Sequence, residues 1–204
     1  MLTRIHKENI NTKEHFEHYY ARPDWRVDWD GADKRLRNAL KLINKEYPKH
    51  LDVGCADGTF TKFYLEKFPN TKGHGVDISE TVCVQAQKNC PEGTFIAADC
   101  YHLPFKDNTF DLVHCAEVLE HLESPDLAIE EIRRVLKPGG HFILTTPNEN
   151  AEDYVEHLWK WSSEGVRLML ETRMGQGKLV NFKILEEYPT FDNGHVMYIR
   201  AEKI

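Results

Sequence analysis

His50-Leu51-Asp52-Val53-Gly54-Cys55-Ala56-Asp57-Gly58-Thr59-Phe60 is the stretch that decides the fold. Leu51 and Val53 read as a short buried strand, Gly54 and Gly58 as a tight turn, and Thr59-Phe60 as the start of a helix. In an open α/β sheet, a strand that passes through a glycine turn into a helix N-terminus is where nucleotide-like ligands sit, because free N–H groups and the helix dipole face the turn. Glycine lets the main chain approach such a ligand with no Cβ in the way. Asp52 adds a carboxylate beside the turn. Two well-known versions of this turn are excluded. A G-x-G-x-x-G frame begun at Gly54 would put its later glycines on Ala56 and Thr59, and no Gly-Lys-Ser/Thr follows to make a phosphate loop.

Downstream of the turn, strands and helices alternate. Phe60, Phe63, Tyr64 and Phe68 suit a helix stopped at Pro69, and Gly75–Ser79 reads as a second strand ending in Asp77. Asp77 lies about 20 residues past the turn, where such folds place an acid on ribose hydroxyls. Ser79 caps a helix over 80–89. Thr94–Ala97 is a third strand, ending in Ala98-Asp99-Cys100, and Asp111–Cys115 a fourth. Pro125 opens a helix at the position where its missing N–H costs nothing, with Leu127, Ile129, Ile132, Val135 and Leu136 as its apolar side. Lys137-Pro138-Gly139-Gly140 ends that helix, and His141–Thr145 is a fifth strand. Five strands alternating with helices imply a parallel sheet covered on both faces.

The flanks are less regular. Residues 12–21 and 31–46 have helical spacing, and Phe16, Tyr19, Tyr20, Trp25 and Trp29 crowd the first 30 residues. Residues 1–47 are thus either a helical lid over a ligand or a cover for one end of the core. Residues 151–178 form an insertion on the substrate side, with a helix beginning at Trp161–Glu164 and a loop at Met174–Gly177. Leu179–Glu187 and Val196–Glu202 are two further strands, and the whole of 1–204 reads as one domain.

Asp52-Val-Gly54-Cys55-Ala56-Asp57-Gly58 resembles motif I of class I S-adenosylmethionine (SAM) methyltransferases, written D/E-x-G-x-G-x-G, with Ala56 in place of the middle glycine. Asp77, Asp99, the Leu-Pro-Phe…Phe-Asp-Leu-Val run at 103–113, Glu-Val-Leu-Glu-His at 117–121 and Leu-Lys-Pro-Gly-Gly at 136–140 follow in that family's order and spacing. The resemblance is strong over about 50–150. It implies a Rossmann-like, doubly wound sheet of seven strands with an antiparallel last strand and helices on both faces. It also implies SAM as cofactor, held by Asp52, Gly54, Cys55, Ala56, Asp57, Gly58, Asp77, Ile78, Asp99, Cys100, Ala116 and Glu117. In that set Asp99 takes the adenine amino group, with the Cys100 backbone beside it.

SAM chemistry needs a nucleophile placed in line with the methyl carbon and, for a hydroxyl, removal of its proton. The strand ends then single out Glu117, Glu120, His121 and 147–150. His121 is the candidate general base, because imidazole titrates near neutrality; alternatively it orders the turn through a local hydrogen bond. Were 117–122 helical, Glu117 would share a side with Glu120 and His121. With His157 in the insertion, this Glu-x-x-Glu-His plus a later His resembles the metal site of small-RNA 3′-terminal 2′-O-methyltransferases, and its first part that of quinone-biosynthesis O-methyltransferases. Such ligands suit Mg²⁺, Mn²⁺ or Zn²⁺. The same Glu-His also occurs in the superfamily without a metal.

Composition narrows the acceptor. The 204-residue chain carries a net charge of −7 and has no basic run, which speaks against nucleic acid as a partner. Five scattered cysteines without a C-x-x-C pair fit reduced thiols and a cytoplasmic location. No signal peptide is read, and no apolar run reaches the ~20 residues of a membrane span. The expectation is a methyltransferase for a small molecule, at a hydroxyl of a sugar, nucleotide-linked or phenolic metabolite. The alternatives are a metal-dependent RNA 2′-O-methyltransferase and a non-catalytic SAM-fold subunit. A nicotinamide oxidoreductase is disfavoured by the glycine frame. Nothing in the sequence sets an oligomeric state.

Overall fold

The computed structural model describes residues 2–6, 8–26, 32–171, 182–188 and 195–204. Its centre is a seven-stranded sheet built from β2 (Lys49–Val53), β3 (Lys72–Asp77), β4 (Thr94–Ala97), β5 (Phe110–Ala116), β6 (Leu136–Pro147), β8 (Phe182–Tyr188) and β9 (Val196–Lys203). The spatial order is β4-β3-β2-β5-β6-β9-β8. The first five strands pair in parallel, whereas β9 runs antiparallel to both β6 and β8. From β2 the chain winds outward to β3 and β4, then returns to β5 on the other side of β2. That reversal opens a crevice at the carboxyl ends of β2 and β5, the usual ligand position in such sheets.

Six helices complete the described chain: α1 (Lys13–Ala21), α2 (Ala32–Lys41), α3 (Thr59–Lys67), α4 (Glu80–Asn89), α5 (Pro125–Val135) and α6 (Ser163–Glu171). Alternation along the strands explains the two-sided core. Leu51, Val53, Val113, Cys115, Phe142 and Leu144 face one way, against Ile129 and Ile132 of α5 and Val166, Met169 and Leu170 of α6. Leu112, Ile143 and Tyr198 face the other way, against Ala39, Leu42, Ile43, Phe60 and Tyr64. Each fully buried Val, Leu, Ile, Phe or Met among them contributes roughly 1.5–3 kcal/mol. The seven strands, the antiparallel last strand and the helices on both faces agree with the sequence reading.

Four local expectations are corrected. The helix read over 31–46 ends at Lys41, although Leu42 and Ile43 remain buried through tight turns onto Ala39 and Leu40. Lys137–Gly140 does not separate helix from strand, because β6 already begins at Leu136 and Gly139 simply takes a left-handed φ of 71°. Trp161 does not start a helix. It ends β7 (Trp159–Trp161), which pairs antiparallel with β1 (Leu2–Arg4) in a small second sheet that the sequence reading lacks, and helix α6 follows at Ser163. Residues 117–122 form only a 3-10 turn at Leu119–His121. Trp29, the Met174–Gly177 loop, the start of the strand read at Leu179 and the 189–194 connection lie outside the described residues.

Candidate active site

A cavity of about 990 Å³ lies at the crevice, between the carboxyl ends of β2, β3, β4 and β5 and the N-terminal residues 9–20. The glycine turn shapes its floor. Gly54 and Gly58 have φ of 72° and 74°, and a Cβ on Gly54 would stand 2.2 Å from Val118 Cγ2. Ala56 is also left-handed, at φ 45°, a conformation that costs an L-residue roughly 1–2 kcal/mol. Its methyl group is buried among Tyr20, Trp25 and Val82, which explains why a side chain is kept there.

Of the twelve residues expected to hold the cofactor, Gly54, Asp77, Ile78, Asp99, Cys100, Ala116 and Glu117 line the cavity. Asp52, Cys55, Ala56, Asp57 and Gly58 lie around the turn without lining the cavity wall. Asp52 is buried and accepts from Thr61 Oγ1 (3.1 Å), while its other oxygen lies 2.7 Å from His114 Nδ1, its cross-strand neighbour on β5. Phe60 stacks on that imidazole at 3.4 Å, so Asp52 anchors the turn from below. Asp57 accepts from Arg26 and from Thr59 Oγ1, away from the cavity. Cys55 is buried, its thiol directed to the Ala56 carbonyl, and Gly58 packs against Phe95 and Ala86.

Asp77 ends β3 with one oxygen accepting from Ala56 N–H (3.0 Å) and the other from Ser79 N–H (3.1 Å). A carboxylate has about four acceptor sites, so each oxygen retains capacity for a ligand hydroxyl. Burial raises its pKa to about 6, against the opposing pull of those backbone donors. Asp99 lines the cavity just past β4 and accepts from Tyr101 N–H. Glu117 has a left-handed φ of 53° and accepts from Thr145 Oγ1 at 2.8 Å. Burial raises its pKa, while the nearby charge of Arg35 lowers it.

The other end of the cavity holds Glu120, His121 and His157, each offering a ligand atom within 4.8 Å of the others. Glu117 is not part of this group. With only a 3-10 turn at 119–121, the helical spacing that would align it with Glu120 and His121 does not exist. Glu120 is fully buried, accepts from Thr146 Oγ1, and has Oε1 without a partner. Its pKa is pushed well up, first by burial and then by Glu117. His121 Nδ1 lies 3.0 Å from the Glu156 carbonyl, which makes it the protonated nitrogen and leaves the Nε2 lone pair available. Burial lowers its pKa, and burial together with His121 lowers that of His157 to about 3. His157 Nδ1 is buried without a partner.

The sequence marked the N-terminal aromatic side chains as a lid or a cover, whereas Arg35, Asn9, Asn11 and His195 were missed. Phe16, Tyr19 and Tyr20 of α1 line the cavity, and α1 is tied down by Glu17, which accepts from Glu80 N–H, Thr81 N–H and Ser79 Oγ at the start of α4. Arg35 lines the cavity near Glu117; it was overlooked because α2 was read for its apolar repeat. Asn9, Asn11 and His195 also line it, with no local pattern to mark them.

Residues 51–144 match a family model described as a methyltransferase domain. An uncharacterized methyltransferase of Schizosaccharomyces pombe is 36% identical over 116 residues, which is 50% of this chain and 40% of that protein. A demethylmenaquinone methyltransferase of Chlamydia trachomatis is 37% identical over 106 residues, 51% of this chain and 46% of its own. The chain thus spans less than half the length of these relatives. A solved SAM-dependent methyltransferase from Aquifex aeolicus superposes with a TM-score of 0.67 at 19% identity, covering 97% of this chain and 100% of that one, a likeness of fold.

Proposed function

We propose that the chain, whose residues 51–144 match a methyltransferase-domain model, is a class I SAM-dependent methyltransferase that transfers a methyl group from SAM to a hydroxyl of a small molecule, a sugar, nucleotide-linked or phenolic metabolite. The observation that carries this reading is one cavity with a nucleoside-type carboxylate at one end and a buried Glu-His-His group at the other. The residues fit SAM. Asp77 has unused acceptor capacity for ribose hydroxyls, and Asp99 with the Cys100 backbone suits the adenine edge. Glu117 and Arg35 supply opposite charges for the ammonium and carboxylate of the methionine part. Bound SAM supplies an activated methyl on a sulfonium that is already a good leaving group. Phe16, Tyr19 and Tyr20 act as the cover of that end and exclude water.

At the acceptor end, His121 is neutral near pH 7 and presents Nε2, so it takes the proton of the acceptor hydroxyl or holds a cation. The orphaned Glu120 Oε1 and His157 Nδ1 beside it suit a divalent ion, Mg²⁺, Mn²⁺ or Zn²⁺, with Glu120, His121 and His157 as ligands. Such an ion would lower the pKa of a hydroxyl bound to it. Methyl transfer to an RNA 2′-hydroxyl draws on the same three residues and is opposed by the net charge of −7.

The test is transfer of labelled methyl from SAM to a panel of catechols, sugars, nucleosides and short RNA, with and without chelator. Labelling of a small hydroxylated acceptor that is lost with His121→Ala supports the reading. Loss in chelator and recovery with Mn²⁺ or Mg²⁺ supports the cation; indifference to both rejects it. Labelling of RNA alone would replace the small-molecule reading.

A further inference from the structure

Asn11 precedes α1 and lies far in sequence from the acceptor end, yet its side-chain amide sits inside it. Asn11 Nδ2 donates to the His121 carbonyl at 3.0 Å and to the Glu156 carbonyl at 2.7 Å. Two carbonyl oxygens at these distances require the NH₂ group there, so the orientation of the amide is chemically fixed. The Glu156 carbonyl also accepts from His121 Nδ1. Asn11, the His121 backbone, the His121 ring and Glu156 therefore form a closed set of three hydrogen bonds, and His157 is the next residue along.

We propose that Asn11 is a positioning residue of the acceptor end. By bridging the two carbonyls it fixes the 3-10 turn that carries His121 against the segment that carries His157, and it holds His121 in the Nδ1–H form. This rests on reading His121 and His157 as the working residues of that end. The segments have other ties. Leu158 N–H donates to the Glu120 carbonyl, Trp159 Nε1 to the Leu122 carbonyl, and Ile5 N–H to the Leu158 carbonyl. Removing the amide therefore leaves the fold in place and loosens only the relation between the imidazoles. A backbone carbonyl bonded to the far nitrogen of a working histidine is the usual means of fixing its tautomer, and loss of such a partner costs roughly 10–100-fold in metal affinity or activity. Asn11 supplies the support for that carbonyl.

The experiment uses the full chain as Asn11→Ala and as Asn11→Asp, which keeps the shape without the donor; where one fails to fold, the other reports. SAM affinity measured by calorimetry is expected to stay within about twofold, because the strand-end carboxylates are untouched. Long-range ¹H–¹⁵N spectra of the imidazoles are expected to show His121 as the Nδ1–H tautomer in the parent and as a mixture in the variants. Titration with Co²⁺, followed by visible absorption, is expected to show affinity reduced at least tenfold. An unchanged His121 tautomer together with unchanged Co²⁺ affinity would overturn the proposal. If the parent binds no Co²⁺ but the tautomer still shifts in the variants, the cation reading fails and the role of Asn11 stands.

Discussion

The two ends of the cavity are built by different means. The end proposed for the cofactor is set by backbone geometry: left-handed Gly54 and Gly58, and carboxylates delivered by the ends of successive parallel strands. All of it lies between residues 54 and 118, apart from its aromatic cover and Arg35. The end proposed for the acceptor is assembled from residues 9–15, 120–123, 147–157 and 195–196, held by side chains bonded to carbonyls and by the pairing of β1 with β7. Strand ends of a parallel sheet hold a constant ligand rigidly. An end strapped together from distant segments can change acceptor while leaving the sheet alone.

If that contrast is right, substitutions at the two ends should differ in kind. The largest effect belongs to Gly54→Ala. A methyl 2.2 Å from Val118 in a left-handed conformation should cost about 2–5 kcal/mol of stability, read by denaturant unfolding. His157→Ala should leave both stability and SAM affinity within about 1 kcal/mol, since its Nδ1 has no partner to lose. Equal damage from the two would erase the distinction.

A middle-sized effect follows from Asp77. Its pKa in the folded protein is raised to about 6 by burial, above the ordinary 3.8 of the unfolded chain. Between these values the folded state binds the extra proton, so ligand-free stability should fall as pH rises from 4 to 6. Ribose hydroxyls donate to the ionised form, so SAM affinity should rise over the same window, by up to about tenfold per pH unit below 6. Calorimetry at several pH values and thermal unfolding without ligand should therefore show opposite slopes. Parallel slopes would remove Asp77 from the ribose.

The smallest effect is expected at Ala56. Glycine there would relieve the left-handed strain at φ 45° but lose a buried methyl, worth about 0.8 kcal/mol, and enlarge the unfolded ensemble. The net change in stability should be under about 1 kcal/mol. A much larger loss would show that the N-terminal aromatics depend on that methyl group.

Legibility followed the same division. Thr94–Ala97 and the helix over 80–89 stood in the sequence because alternation, a Ser79 cap and turn residues act locally. That Asp77 and Asp99 stand at strand ends facing the cavity was legible too, Asp77 from its spacing past the turn and Asp99 from the family resemblance. The tie between Asp52 and His114 could not be read, since nothing near Asp52 in the chain announces a histidine on a neighbouring strand. β1 and β7 are three residues each, too short for any periodicity, and are defined by pairing with each other across more than 150 residues of chain. Asn11 carried no signal at all, because its meaning is two carbonyls more than a hundred residues away.

The measurement that bears most directly on the account is calorimetric titration of the parent chain and of Asp77→Ala with SAM and with S-adenosylhomocysteine. The account predicts one-site binding of both to the parent and a loss of about 2–4 kcal/mol in the variant, from two charge-assisted hydrogen bonds. Absence of heat with either compound in the parent, or the same affinity in the variant, would contradict it.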